Sequence, residues 1–109
     1  MKKTVPTTLT EAQKLAWQVS QEIDKEKKQD RPPFVVVADL LEEAGEVASV
    51  VKGLEGYKPP EKPKTREMLA NELSDLLYSV FTLATMYGIQ LEETYVETVK
   101  GYRKRFLKP

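Results

Sequence analysis

Apolar and polar positions alternate along this chain with the period of an α-helix. Leu9, Ala12, Leu15, Ala16, Val19 and Ile23 recur at spacings of three and four, which predicts a first amphipathic helix. Thr10, with Gln13 three positions later, reads as a capping box, so the helix is expected to start at Thr10. The stripe dissolves into the charged stretch 25–30, and Pro32 and Pro33 mark a break and a new start. The next segment opens as "FVVVADLL", which would also pass for a buried strand. The helical spacing of Val36, Leu40, Ala44, Val47, Val51 and Leu54 decides for a second helix, from about Phe34 to Leu54. Gly53 and Gly56 stand where that helix should end. The following "YKPPEKPK", Tyr57 to Lys64, is too rich in proline to be anything but a loop. A third helix is expected from about Thr65 to Tyr87, with Leu69, Leu73, Leu76, Leu77, Val80, Leu83, Ala84 and Tyr87 on its buried arc. Gly88 should end it in the left-handed conformation that glycine adopts cheaply. A short connection leads to a fourth helix, about Leu91 to Phe106. The expected fold is all-α: a four-helix bundle in a single domain, residues 1–109, with short loops between antiparallel neighbours.

Composition then narrows the chemistry. The chain has 109 residues, enough for a modest core with little surplus stability, so oligomerisation is expected to complete the bundle. Its 17 basic and 17 acidic residues cancel, which argues against a general nucleic-acid or membrane-surface binder. There is no cysteine and no histidine, so disulfides, thiolate catalysis, imidazole metal sites and histidine-based triads are excluded. Residues 1–8 lack the apolar centre of a signal peptide, and no apolar run approaches a membrane span. A soluble cytoplasmic protein is the expectation.

The acids are the informative residues. At about 100° per residue, Asp39, Glu43 and Glu46 share a narrow stripe that borders the apolar arc of the second helix. Glu42 lies further out. On the third helix Glu72 and Asp75 border the apolar arc in the same way. If the two helices pack, four carboxylates, Glu43, Glu46, Glu72 and Asp75, meet at their seam. Two carboxylates about 6 Å apart repel by roughly 3 kcal/mol at an effective dielectric of about 20. Either the groups splay apart, or protons or cations compensate them. Oxygen-only ligands select hard ions such as magnesium, manganese or calcium, and magnesium commonly binds with substrate phosphates. Either pair alone would be an ordinary solvated helix face. Both pairs, each on the shoulder of an apolar arc, point to an ion.

The wording "LLEEAGEVASVVKGL" followed by "NELSDLLYSVFTLATMYGIQLEE" resembles the MazG-like nucleoside triphosphate pyrophosphohydrolases. Their Glu-Glu-x-x-Glu element matches Glu42, Glu43 and Glu46, and their Glu-x-x-Asp element matches Glu72 and Asp75. The Gly88-Ile89 turn and the closing "RKRF" match as well, so the resemblance covers about Phe34 to Phe106. It implies an all-α fold, a homodimer or a tetramer of dimers, and hydrolysis of a nucleoside triphosphate to monophosphate and pyrophosphate. Carried over, Glu43, Glu46, Glu72 and Asp75 would hold Mg²⁺ or Mn²⁺. Glu42 and Glu43 would serve the catalytic step, Glu42 by orienting or deprotonating water. Relatives carry a lysine and, four residues later, an asparagine before the terminal basic cluster. Those places hold Thr98 and Tyr102 here, and Lys100 supplies a cation in a shifted register.

Four further features stay open at this level. Lys100, Arg103, Lys104 and Arg105 either answer the dipole of the last helix or reach phosphates, with Arg103 the preferred contact. Trp17 lies off the stripe of the first helix and serves either lateral or subunit packing or stacking on a nucleobase. Tyr102 carries the same alternatives. Asp39 is an outer ligand or a helix-start acid. Two other functions compete with nucleotide hydrolysis: a phosphoribosyl-ATP pyrophosphohydrolase, and a non-catalytic helical interaction module.

Overall fold

The computed structural model describes residues 5, 8–57 and 62–107. Four helices follow one another, and no strand occurs among the described residues: α1 (Leu9–Glu26), α2 (Pro33–Leu54), α3 (Arg66–Met86) and α4 (Leu91–Phe106). The expected segments are all present, including the helix that opens with "FVVVADLL". Half of the expected proline-rich loop, residues 58–61, lies outside the described residues, as does most of the expected N-terminal stretch 1–8.

Local chemistry sets the ends. α1 starts one residue earlier than expected, because Thr8 and not Thr10 is its cap. The Thr8 hydroxyl accepts the Glu11 amide at 3.0 Å. Thr8-x-x-Glu11 and Thr10-x-x-Gln13 fit the same capping pattern, but Gln13 is drawn into the core instead. α3 is capped by Thr65, whose hydroxyl accepts the Met68 amide at 3.2 Å. Pro33 occupies the first turn of α2, where its missing N–H costs nothing. Gly56 and Gly88 take φ of +70° and +68°, the left-handed conformation that reverses the chain after α2 and α3. Gly53 remains inside α2, where a side chain would collide with that of Lys64.

α2 and α3 form the main packed pair, α1 packs on α3, and α4 packs on α1. Val36 faces the level of Thr82, whereas Glu43 faces that of Asp75, so α2 and α3 run antiparallel. Val36, Val50, Phe81, Ala16 and Ala84 form the buried apolar core. Polar side chains share it. Gln13 donates to the Ile89 carbonyl at 2.7 Å and to the Thr85 hydroxyl at 3.0 Å, and its carbonyl accepts the Leu91 amide at 3.1 Å. One side chain of α1 thus clasps the α3–α4 turn. Much of the expected apolar surface stays open: Leu15 is 47% exposed, Leu73 48% and Val51 38%, and α4 buries no residue.

Candidate functional site

The seam between α2 and α3 brings three of the expected acids together. Glu43, Glu72 and Asp75 each offer a carboxylate oxygen within 4.8 Å of the other two. The helical period explains the meeting. Glu72 and Asp75 are three apart and therefore share a face, and the antiparallel packing sets Glu43 opposite them. Glu43 and Glu72 are half-buried, and Asp75 is exposed. Burial raises the Glu43 carboxyl above its ordinary value, and the charges of Asp75, Glu72, Glu42 and Glu46 push it further in the same direction. The native fold therefore gathers negative charge that nothing within the cluster neutralises. An oxygen-only set of this kind, with one member already reluctant to ionise, suits a hard divalent cation.

The other expected residues stand at measurable removes from this triad. Glu46 and Glu42 are exposed and lie outside the group of three, though both charges act on Glu43. Lys100, Tyr102 and Arg103 are exposed on α4, which packs on α1 and not along the α2–α3 pair. Trp17 is half-buried and lines a cavity of about 500 Å³ together with Ser20, Gln21, Arg31, Thr82 and Met86. Val36, on the same wall, is seven residues before Glu43, and Thr82 is seven after Asp75. The cavity therefore opens about 10 Å along the helix pair from the carboxylates.

Arg31 is the residue that the sequence did not single out. It sits between a charged stretch and two prolines, where a solvated cation was the natural expectation. Instead its Nε donates to Asp24 at 3.0 Å, its Nη1 to Asp39 at 3.2 Å and its Nη2 to the buried Ser20 hydroxyl at 2.8 Å. Burial works against its charge, but Asp24 first and then Asp39 outweigh it and hold the guanidinium above its ordinary value. Asp39, open beforehand as an outer ligand or a helix-start acid, is thus paired with Arg31. The one available signal was Ser20, a small polar residue in line with Ala16 on the buried side of α1. Tyr78, one turn beyond Asp75, buries its hydroxyl without a hydrogen-bond partner, the one such side-chain atom among the described residues.

Comparison with known proteins agrees with this geometry. Residues 31–106 match the model of the MazG nucleotide pyrophosphohydrolase domain. The uncharacterized protein YvdC of Bacillus subtilis is 36% identical over 80 residues, spanning 68% of this chain and 76% of YvdC. YpjD of the same organism is 30% identical over 73 residues, 67% of this chain and 66% of YpjD. The crystal structure of YpjD, described as that of a candidate pyrophosphatase, superposes with a TM-score of 0.70 at 25% identity, covering 96% of this chain and 100% of that one. The matched segment contains every acid of the α2–α3 seam, and on these grounds the chain belongs to the MazG nucleotide pyrophosphohydrolase family.

Proposed function

We propose that this protein hydrolyses a nucleoside triphosphate to the monophosphate and pyrophosphate, using Mg²⁺ or Mn²⁺ held by Glu43, Glu46, Glu72 and Asp75. The observation that carries this reading is the convergence of Glu43, Glu72 and Asp75 within 4.8 Å on two antiparallel helices. A hard divalent ion there offsets phosphate charge and makes a bound water more acidic. The protein's own groups supply the rest. Glu42, adjacent to Glu43 in sequence and outside the triad, is assigned to orient or deprotonate the attacking water at a carboxylate oxygen. Glu43 would hold the ion and orient the site for the catalytic step beside Glu42. The cavity beside Trp17 offers an indole wall with Ser20, Gln21 and Thr82 for a nucleoside. Lys100, Tyr102 and Arg103 are assigned to the phosphates and sugar.

The exposed apolar surface supports a homo-oligomer, a dimer or a tetramer, as the working form. Among the described residues no helix is long and apolar enough to cross a membrane, in keeping with the cytoplasmic, nucleotide-pool role we assign. The test is a pyrophosphate-release screen over canonical and damaged ribo- and deoxyribonucleoside triphosphates, with phosphoribosyl-ATP included. Release from at least one triphosphate with Mg²⁺ is expected. Turnover of phosphoribosyl-ATP alone would reassign the substrate. No turnover of any compound would leave the interaction-module reading in its place.

A further inference from the structure

The cavity beside Trp17 is uneven in its chemistry. Lys25, Lys28 and Asp30 line it and are exposed, whereas Ser20, Val36 and Thr82 are buried. Water competes for the exposed groups, so the sheltered part of the wall is what distinguishes one ligand from another by hydrogen bonding.

Arg31 is the strongest donor on that wall. A guanidinium carries five N–H groups and no acceptor. Three of them are committed, to Asp24, Asp39 and the Ser20 hydroxyl. The two left over, one on each Nη atom, have no partner among the described residues, and Arg31 lines the cavity. The three bonds hold the planar group still, so it offers those two donors in fixed geometry. Charge decides what they bind. Asp24 and Asp39 share the one guanidinium, so the cluster is negative as a whole. It repels a phosphate and suits a neutral acceptor. Thr82 supplies the opposite sense. Its hydroxyl donates to the Tyr78 carbonyl at 2.9 Å, which leaves lone pairs for the cavity.

Two donors and an acceptor match one kind of purine edge. In guanine and hypoxanthine, N7 and O6 accept and N1–H donates. In adenine an amino group takes the place of O6 and N1 accepts, so the order is reversed. Arginine meets N7 and O6 with a pair of bonds and opposes the adenine amino group, donor against donor. A cavity of about 500 Å³ has room for the larger, two-ring bases beside the indole.

We propose that Arg31 is the specificity-determining residue of this protein and that it selects 6-oxopurine nucleotides, those of guanine or hypoxanthine, over adenine nucleotides by donating to O6 and N7. That these nucleotides are substrates rests on the hydrolase reading; the choice of base does not.

Binding and turnover are therefore measured separately. Trp17 is the one tryptophan of the chain, so its fluorescence reports what occupies the cavity. The α,β-methylene analogues of GTP and ATP, whose bridging carbon resists hydrolysis, are titrated in the presence of Mg²⁺. The guanine analogue should bind about tenfold to a hundredfold more tightly. GMP should displace it about tenfold better than 7-deaza-GMP, which lacks the N7 acceptor; this comparison needs no variant. Arg31→Lys keeps the charge and loses the fork, and should reduce the preference to about twofold or less. In turnover, kcat/KM for GTP and ITP should exceed that for ATP by the factor seen in binding. Equal binding of the two analogues, no fluorescence response to either, equal displacement by GMP and 7-deaza-GMP, or a preference that survives in folded Arg31→Lys would each overturn the proposal. A wild-type chain that prefers the guanine analogue but releases pyrophosphate from no triphosphate sinks the hydrolase reading instead, and leaves the base selection standing.

Discussion

Asp39 and Glu43 are one helical turn apart on α2, and their surroundings differ completely. Asp39 meets Arg31, which also binds Asp24 and the Ser20 hydroxyl. Glu43 meets Glu72 and Asp75 and, among the described residues, pairs with no cation. The first cluster is finished by the fold: each of its carboxylates has the guanidinium as a partner, and it ties the end of α1 to the start of α2. The second becomes balanced only when something arrives. An acid on the shoulder of an apolar face thus acquires its role from what the neighbouring segment contributes, a guanidinium in one case and two more carboxylates in the other.

That contrast can be broken most sharply through activity. Glu43→Gln or Asp75→Asn should reduce pyrophosphate release by about a hundredfold to a thousandfold, the range for losing one electrostatic stabiliser of a transition state. Asp39→Asn should fall far short of this when turnover is compared per folded molecule. Equal losses at Asp39 and Glu43 would erase the distinction.

Stability should rank the two clusters in the opposite order. Arg31→Ala leaves Asp39 and the buried Ser20 without their donor and Asp24 with Gln29 alone, and should cost about 2 kcal/mol. In thermal melts that is a drop of roughly 10 °C for a domain of this size. Glu72→Gln, which relieves repulsion, should leave the metal-free protein unchanged or slightly more stable. Mg²⁺ at ten times its dissociation constant should stabilise the wild type by about 1.4 kcal/mol, and Glu72→Gln should lose most of that gain. A magnesium response that survives in Glu72→Gln would place the ion elsewhere.

The smallest expected effect is on pH dependence. The folded Glu43 carboxyl titrates above its ordinary value, so the native state keeps a proton that the unfolded chain has already released. The stability tied to that proton is fully present below the ordinary glutamate range and is lost as pH rises through the raised value. Metal-free wild type should therefore fall behind Glu43→Gln in melting temperature as pH climbs from acid to neutral, and saturating Mg²⁺ should remove the gap. A constant difference across that range would mean that the carboxyl is not perturbed. Arg31 gives no such trend, since its raised guanidinium stays charged at every accessible pH.

The sequence made the helices legible because periodicity and prolines are local signals. It also made the shoulder positions of Glu43, Glu72 and Asp75 legible, because a wheel needs only spacing. It did not reveal which acids would be neutralised. Arg31 follows the charged stretch 25–30 with nothing local to set it apart, and its partners come from both flanking helices. The cap of α1 was misplaced for a similar reason. Thr8 and Thr10 offer overlapping patterns, and only the distant Ile89 and Leu91, by engaging Gln13, decide between them.

The Gln13 clasp also bears on how the molecule assembles in time. Its bond to Ile89 joins residues 76 positions apart, whereas α2 and α3 are joined by a short connection. Closing a long loop costs chain entropy before the contact returns anything, so the clasp belongs late in folding, after the central pair has formed. Gln13→Ala should accordingly speed unfolding while leaving the folding rate nearly unchanged in stopped-flow measurements. The amide of Leu91 should then exchange with solvent sooner than those of the α2–α3 core, marking the α3–α4 turn as the first part of the native molecule to open.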